Sequence, residues 1–89
     1  MTIKTNKGKE YKAEWSGGPT QITQEVFCVI DDSRAISVIA GEFDGAELTE
    51  IQRDGKEKTY TGYTELCSIG RMDEGNLTRI SMRKPRKEG

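Results

Sequence analysis

Residues 26–43, VFCVIDDSRAISVIAGEF, decide how this chain folds. The first five are apolar without interruption, which is typical of a central strand covered on both faces. The remainder carries apolar side chains at helical spacing, namely Ala35, Ile36, Ile39, Ala40 and Phe43. We therefore predict a strand followed by a helix over residues 33–43, and we expect this helix to cover the second face of the strand.

The residues on either side of the predicted helix suit its two ends. Asp31, Asp32 and Ser33 are good N-cap candidates, and the two carboxylates also suit the positive end of the helix dipole. Asp44 and Gly45 provide a stop signal. A metal-binding or acid/base pair is the alternative interpretation of Asp31 and Asp32. Because neighbouring residues rarely converge on one ion, we expect capping and solvation instead.

Residues 2–15 predict a β-hairpin with its turn at Gly8, where glycine can adopt the positive φ of a tight turn. Polar and apolar side chains alternate in its second strand and place Tyr11, Ala13 and Trp15 on one face. An aromatic binding platform is one interpretation of Tyr11 and Trp15. Because the chain has few large apolar side chains, we instead predict that both rings belong to the core.

The segment that joins this hairpin to the central strand is predicted to be an exposed loop. Residues 16–19, SGGP, contain two glycines and a proline, which disfavour regular strand pairing. The pattern gives little support to a phosphate-binding loop, because no lysine-containing P-loop motif follows. We expect the next strand to begin at Thr20 and to end with the apolar run at residues 26–30.

The C-terminal half predicts a four-stranded antiparallel meander. Its strands are residues 47–53, 56–60, 64–72 and 77–83. The sequence DG at residues 54–55 is the strongest hairpin signal in the chain. A two-residue turn at this position pairs Arg53 with Lys56 and puts Ile51 on the same face as Tyr60.

The last two strands of the meander are predicted to form a second hairpin. A turn centred on residues 74–75 sets Ile69 opposite Ile80 and Cys67 opposite Met82. This register gathers the apolar side chains on one face. Between the second and third strands of the meander, a glycine at position 62 predicts a bend or a bulge.

The residues that commonly carry chemistry are few. The chain has no histidine and two cysteines, so the commonest general base and the commonest zinc ligand are missing. Cys28 and Cys67 both lie in apolar strand-like segments, and we predict that both are buried and reduced. No CxxC spacing indicates a redox site. We infer no catalytic residue, metal, cofactor or small-molecule ligand, and we expect a protein that is not an enzyme.

Length and charge bound the class of protein. A chain of 89 residues allows one domain, which we place at residues 1–84, followed by a basic, frayed tail at residues 85–89. The 14 Lys and Arg residues nearly balance 15 Asp and Glu residues, which argues against a disordered chain. No apolar run is long enough to span a membrane, and residues 1–10 are too polar for a secretory signal, so we expect a cytoplasmic protein.

The charges are unevenly distributed along the chain. Residues 1–12 carry a net charge of +3, residues 13–50 of −7 and residues 51–89 of +3. If the two basic ends meet opposite the acidic middle, the dipolar surface suits head-to-tail stacking between copies or docking onto a larger protein. We therefore expect a protein partner or self-association. Solvated charge without a partner is the alternative.

A nucleic-acid-binding module that uses the basic termini is the second hypothesis for function. The residues that would contact phosphates are Lys4, Lys7, Lys9, Arg83, Lys84, Arg86 and Lys87. The sequence pI of about 5.5 disfavours this hypothesis, and the chain has no RNP-like, zinc-finger or recognition-helix motif to support it.

Three further segments carry a resemblance to known proteins. They are KTNKGKEY at residues 4–11, EFDGA at residues 42–46 and KTYTGYTEL at residues 58–66. In these segments the chain resembles small uncharacterised proteins encoded by phages and prophages of Gram-positive gut bacteria. The resemblance spans most of the chain, although residues 16–21 have no counterpart in it. It implies a compact β-rich protein with one helix from a virion morphogenesis region, associated with the virion, and it implies no catalytic or binding residues.

Together these patterns predict the α+β class with mostly antiparallel strands, in the order hairpin, central strand, helix and meander. We expect a bent sheet or a partly open β-barrel, with one helix at about residues 33–43 that closes one end or face. The function that fits best is a non-enzymatic structural or assembly module, derived from a phage or prophage and acting through protein–protein contacts.

Overall fold

The computed structural model describes residues 1–85, which form seven strands and one helix. These elements are β1 (Thr2–Thr5), β2 (Glu10–Gly17), β3 (Glu25–Asp31), α1 (Ile36–Phe43), β4 (Leu48–Ile51), β5 (Glu57–Tyr60), β6 (Glu65–Arg71) and β7 (Leu77–Arg83). The strands make one open antiparallel sheet in the order β5-β4-β1-β2-β3-β7-β6. The predicted α+β class is confirmed. Most of the predicted basic tail, residues 86–89, lies outside the described residues.

The sheet order shows that the predicted four-stranded meander is wrong. The hairpins β4–β5 and β6–β7 both form, but they lie at opposite ends of the sheet, and β5 and β6 are its two edges. Four residues, 61–64, connect these edges, with a turn at Gly62 in place of a bulge. A connection of this length spans at most about 18 Å. The sheet must therefore curl until its edges approach each other.

The curled sheet encloses one hydrophobic core on its concave face. The buried members of the core are Ile3, Tyr11, Ala13, Val26, Cys28, Ile30, Ile39, Phe43, Leu48, Tyr60, Ile80 and Met82. They come from six strands and from α1, and Leu66 and Ile69 of the remaining strand, β6, pack against them. Because every element contributes to one cluster, the described chain folds as one domain.

The helix does not cover the second face of β3, as we had expected. Its buried residues, Ile39 and Phe43, belong to the concave core, where the Phe43 ring lies 4.7 Å from that of Tyr11. The helix packs against β6 and therefore lies at one edge of the curled sheet. On β3, Val26 and Ile30 are buried, whereas the side chains between them, at positions 27 and 29, are only half-buried.

The helix also begins later than predicted. Ala35 occupies the N-cap and provides no side-chain hydrogen bond, so the expected capping by Asp31, Asp32 or Ser33 is wrong. Asp32 instead accepts the backbone N–H of Arg34 at 3.0 Å. The predicted end is confirmed, because α1 stops at Phe43 and Gly45 follows with φ +83°. No helix within residues 1–85 is long and apolar enough to cross a membrane.

The N-terminal hairpin is confirmed, but its second strand contains a bulge. β1 and β2 pair with Ile3 opposite Tyr11, and the turn has Gly8 at φ +83°. Between β2 and β3, Ala13 pairs with Ile30 and Trp15 with Val29, so one residue of β2 is extra. An extra residue reverses the alternation of side chains beyond it. Trp15 is therefore 54% exposed, and its predicted place in the core is wrong.

The segment after this bulge is partly strand and partly turn, which corrects two predictions. β2 continues to Gly17, so half of the expected loop at residues 16–19 is paired with β3. β3 does not begin at Thr20 but at Glu25. The hydroxyl of Thr20 accepts the backbone N–H of Thr23 at 2.9 Å and closes a turn before the strand.

The β4–β5 hairpin has a different register from the predicted one. Leu48 pairs with Tyr60 and Ile51 with Glu57, because the turn is one residue longer than predicted. Gly55, with φ +88°, donates its N–H to the carbonyl of Gln52, which is the pattern of a three-residue loop with a glycine bulge. Consequently Leu48, and not Ile51, shares the core face with Tyr60, and Arg53 does not pair with Lys56.

The β6–β7 hairpin confirms one predicted pair and corrects the other. Ile69 lies opposite Ile80, as expected. Leu66, however, lies opposite Met82, because the register shifts between Leu66 and Ser68. Cys67 is the extra residue of this second bulge. It is exposed, whereas Cys28 is buried, so the prediction of two buried thiols holds only for Cys28.

Candidate functional site: the outer face of the sheet

The convex face of the sheet carries apolar side chains that the chain itself buries only in part. The bulge in β2 turns Trp15 to this face, where it pairs with Val29. Phe27 and Val29 are half-buried, and Leu77 continues the surface on β7. We call Trp15, Phe27, Val29 and Leu77 the outer patch. Aromatic and branched side chains grouped on an exposed sheet face are typical of a contact surface.

Small residues lie beside the outer patch on the neighbouring positions of the same face. A Cβ added to Gly17 would lie 3.1 Å from the Trp15 ring, so the indole lies close against the strand. Gly70 and Ser68 of β6 continue the same cross-strand rows. Ser68 and Ser81 share a hydrogen bond of 2.7 Å, which satisfies two hydroxyls within the face.

Charged side chains share the outer face with the outer patch, and Asp31 and Arg79 are the two of opposite sign that lie beside Val29 and Leu77. Arg79 is the partner of Val29, and Asp31 is the partner of Leu77, so the two charged residues are diagonal neighbours on adjacent strands. Both are exposed. Neither forms an ion pair with another residue of the range 1–85. Their charges are therefore available to an outside partner.

Both edges of the sheet are protected against pairing with another strand. On β6, the helix end covers the edge: Asp44 Oδ1 accepts the Leu66 N–H at 3.2 Å, and the Gly45 N–H donates to the Thr64 carbonyl at 2.7 Å. On β5, the edge is four residues long and charged, with residues 57 and 58 both exposed. Short, charged or covered edges oppose strand addition. Pairing of another strand with either edge is therefore disfavoured.

A network of charges holds α1 against the sheet. Arg34 contacts both carboxylates that flank it, with Nη2 2.7 Å from Asp32 Oδ2 and Nη1 2.8 Å from Glu42 Oε2. Tyr11 donates its hydroxyl proton to Glu42 at 2.5 Å. Hydrogen bonds from Arg34 lower the pKa of both carboxyl groups, and burial followed by the bond to Glu42 raises the pKa of Tyr11. Arg71 donates to the carbonyls of Asp32 and Arg34, so the network has a structural role.

The exposed thiol lies in a shallow cleft that lacks an activating base. The cleft is about 270 Å³ and is lined by Gln24, Glu25, Tyr63, Cys67, Arg83 and Lys84. A hydrogen bond with Glu25, and then partial burial, raise the pKa of Cys67. Burial alone raises the pKa of Cys28 to about 12. Neither environment favours a thiolate, which is the reactive form.

The predicted phosphate-contacting residues at the N-terminus are separated on the surface. Lys4 lies on β1 and pairs with Glu10 at 3.5 Å. Lys7 lies in the β1–β2 turn and donates to the Asp44 carbonyl at 2.6 Å, which satisfies the end of α1. Lys9 is exposed in the same turn. Two of these three cations therefore have partners within the fold.

The predicted residues at the C-terminus lie beyond two intervening strands. Arg83 ends β7 and pairs with Glu65 at 2.7 Å, and the Lys84 ammonium lies 5.3 Å from the centre of the Tyr63 ring. β2 and β3 separate this end of β7 from β1. Arg86 and Lys87 lie outside the described residues. The structure therefore brings Arg83 and Lys84 together but leaves them apart from Lys4.

Sequence reasoning missed the outer patch although its signal was present. The run at residues 26–30 correctly indicated apolar side chains on both faces of β3, but we assigned the cover of the second face to α1. The position of Trp15 had no local signal, because a bulge depends on how the neighbouring strand pairs. Within the described range, no group of three or more His, Cys, Asp or Glu residues could hold a metal ion.

Comparison with known proteins adds no relative. No protein-family model, no curated protein and no solved structure matches this chain.

Proposed function

We propose that this chain is a non-enzymatic assembly module that acts through protein contacts made by the outer patch. One observation carries the proposal: the exposed Trp15 lies beside the half-buried Phe27 and Val29 on the outer face of a sheet whose edges are both protected. Tryptophan and other aromatic residues dominate the energetics of protein interfaces, because each buries a large apolar area. The absence of histidine from the sequence supports a role without acid/base catalysis.

The resemblance to phage and prophage proteins gives this proposal a setting. In that setting the chain belongs to virion morphogenesis, in the cytoplasm or in association with the virion. The identity of the neighbouring genes is the simplest way to distinguish an assembly function from nucleic-acid binding. Head or tail genes beside the gene support assembly, whereas replication or repressor genes support the nucleic-acid alternative.

The proposal is tested by co-expressing the chain with the products of its neighbouring genes. We expect one of these proteins to form a complex with the wild-type chain and to lose it when Trp15→Lys places a charge in the outer patch. Ile22→Lys is the matched control, because Ile22 is an apolar residue that is 95% exposed in the turn before β3. A complex that resists Trp15→Lys, or the absence of any complex and of self-association, would overturn the proposal.

A further inference from the structure

We infer that Asp54 is a site of spontaneous covalent modification, at which the folded chain converts aspartate into isoaspartate through a cyclic imide. The sequence contains two Asp-Gly pairs, at residues 44–45 and 54–55. Such pairs suit this chemistry, because glycine has no Cβ to hinder the backbone nitrogen that must react. Both pairs are exposed, so the way in which the fold holds each of them, and not burial, distinguishes the two.

The reaction needs only the atoms of the turn and water. The backbone nitrogen of Gly55 attacks Cγ of Asp54, a C–N bond forms, and the carboxyl hydroxyl leaves with the amide hydrogen as water. A second water molecule then opens the imide at one of its two carbonyl carbons. Opening at Cγ restores aspartate. Opening at the backbone carbonyl carbon leaves the chain running through Cγ, which is isoaspartate, and neither path oxidises or reduces an atom.

The turn at Asp54 presents the carboxyl group to the nitrogen that must attack it. The Lys56 N–H donates to Asp54 Oδ1 at 3.0 Å, so the carboxyl bends back over the peptide that joins Asp54 to Gly55. The Gly55 N–H donates to the Gln52 carbonyl at 2.9 Å. Both hydrogen bonds join residues of one exposed turn. This turn can therefore open locally, without separating the strands that carry the core.

The pair at residues 44–45 is tied to a distant strand instead. Asp44 Oδ1 accepts the Leu66 N–H at 3.2 Å, which holds the carboxyl on β6. The Gly45 N–H donates to the Thr64 carbonyl at 2.7 Å, which holds the nitrogen that would attack. Phe43, the residue before this pair, has no exposed surface. To react, the pair must separate the end of α1 from β6 and disturb the core, so the fold protects Asp44 and leaves Asp54 free to react.

Isoaspartate at position 54 alters a turn whose length sets the register of the hairpin. The new linkage adds one carbon atom to the backbone between β4 and β5, whose pairs run from Ile51 with Glu57 to Leu48 with Tyr60. The Tyr60 hydroxyl donates to the buried Glu50 at 2.9 Å across the same hairpin. We therefore expect the modified chain to melt at a lower temperature than the unmodified chain.

Incubation of the folded chain in heavy-oxygen water tests the inference, because hydrolysis of the imide introduces one solvent oxygen atom into the residue. Peptide mapping by mass spectrometry measures the labelled fraction at each pair. In the native protein we expect labelling at Asp54 to exceed that at Asp44 by about tenfold or more, since hydrogen bonds between elements must open at Asp44. In denaturant the two pairs should react at similar rates, because the fold no longer distinguishes them.

Two matched variants assign the label to its residue. Glutamate would have to close a larger ring, which forms more slowly. Asp54→Glu should therefore remove the labelling of this turn from the native protein, whereas Asp44→Glu should leave the labelling at Asp54 unchanged. Circular dichroism checks that both variants are folded.

Equal labelling of the two pairs in the native protein would overturn the inference, and so would labelling at Asp44 alone. A native chain that labels neither pair, although both react in denaturant, would overturn it as well. Because Asp54 lies in the β4–β5 turn and not in the outer patch, each of these results leaves the proposed function unaffected.

Discussion

Ile39 and Val38 are neighbours on α1 with opposite environments. Ile39 has no exposed surface and packs in the concave core, whereas Val38 is 47% exposed. The two thiols also differ in exposure, because Cys28 belongs to the buried core and Cys67 is the exposed residue of the β6 bulge. Burial therefore sets the effect of a substitution at these positions. Each buried residue has an exposed counterpart of similar chemistry that serves as a control, Val38 for Ile39 and Cys67 for Cys28.

Replacing Ile39 with aspartate should strongly destabilise the protein. An unpaired carboxylate in the core costs about 3 kcal/mol or more. In a domain of this size such a loss lowers the melting temperature by about 12 °C or more. Val38→Asp is the control and should shift it by only a few degrees. A thermal melt in which Ile39→Asp resembles wild type would show that α1 does not pack as described.

The thiols should react at two different rates. With Ellman's reagent we expect the native protein to offer one accessible thiol, Cys67, and denaturant to expose a second, Cys28, because Cys28 is buried in the native fold. Cys67→Ser should remove the native reaction and leave the one in denaturant. Rapid native labelling in the Cys67→Ser variant would contradict the burial of Cys28.

Charged and hydrogen-bonding side chains attach the helix α1 to the sheet. Arg34 joins the β3–α1 connection to Glu42 in the last turn of α1, and Glu42 in turn accepts the hydroxyl proton of Tyr11 on β2. The helix has eight residues, which is too short for stability on its own. Contacts with the sheet must therefore supply the stability of the helix.

This network should make stability depend on pH in a defined direction. The pKa values of Asp32 and Glu42 are lowered from 3.8 and 4.5, chiefly by hydrogen bonds from Arg34. Such groups stabilise the fold above their unfolded-state pKa values, and this contribution is lost as the pH falls through the lowered native-state values. We expect urea denaturation between pH 7 and pH 2 to show this loss.

The Arg34→Gln variant isolates the contribution of the network to the pH dependence. It should be less stable than wild type at pH 7, and the difference should shrink towards pH 2. Lys56→Gln is the control, because Lys56 and Asp54 form an exposed pair 3.9 Å apart that has no contact with the network. If Arg34→Gln and Lys56→Gln had the same pH dependence, the network would not stabilise the fold.

The whole molecule is a curled sheet with one filled face and one exposed face. The filled face draws side chains from all seven strands, whereas the apolar side chains of the outer patch come from β2, β3 and β7. The N-terminal and C-terminal cations are spread over separate strands, and several have partners within the fold. These N-terminal and C-terminal cations therefore do not combine into one basic surface.

We accordingly expect no appreciable binding to generic duplex or single-stranded DNA at physiological salt. Phosphate contacts by several lysines and arginines would give an affinity that falls steeply with the logarithm of salt concentration. Fluorescence anisotropy with labelled oligonucleotides measures this. Micromolar, salt-dependent binding that disappears when residues 83–89 are removed, in a chain that stays monomeric, would favour the nucleic-acid alternative over assembly.

Particular residues show which side-chain positions the sequence patterns could predict and which they could not. The alternation at Tyr11 and Ala13 correctly predicted a strand with one buried face, and the same alternation failed at Trp15, two residues later. The pair Ile69 and Ile80 was predictable from the turn, whereas Cys67 was not. In both failures a bulge added one residue, which moves every following side chain to the other face.

By itself, the sequence determined which segments become strands and which becomes the helix, because alternation, helical spacing and turn glycines act between near neighbours in the chain. The positions of Gly8, Gly45 and Gly75, all at positive φ, followed from this local chemistry. Only the tertiary structure decided the strand order, the two bulges and the side of the sheet that α1 covers. These features depend on filling one core with contacts between distant segments, and from them came the exposed face on which the proposed assembly depends.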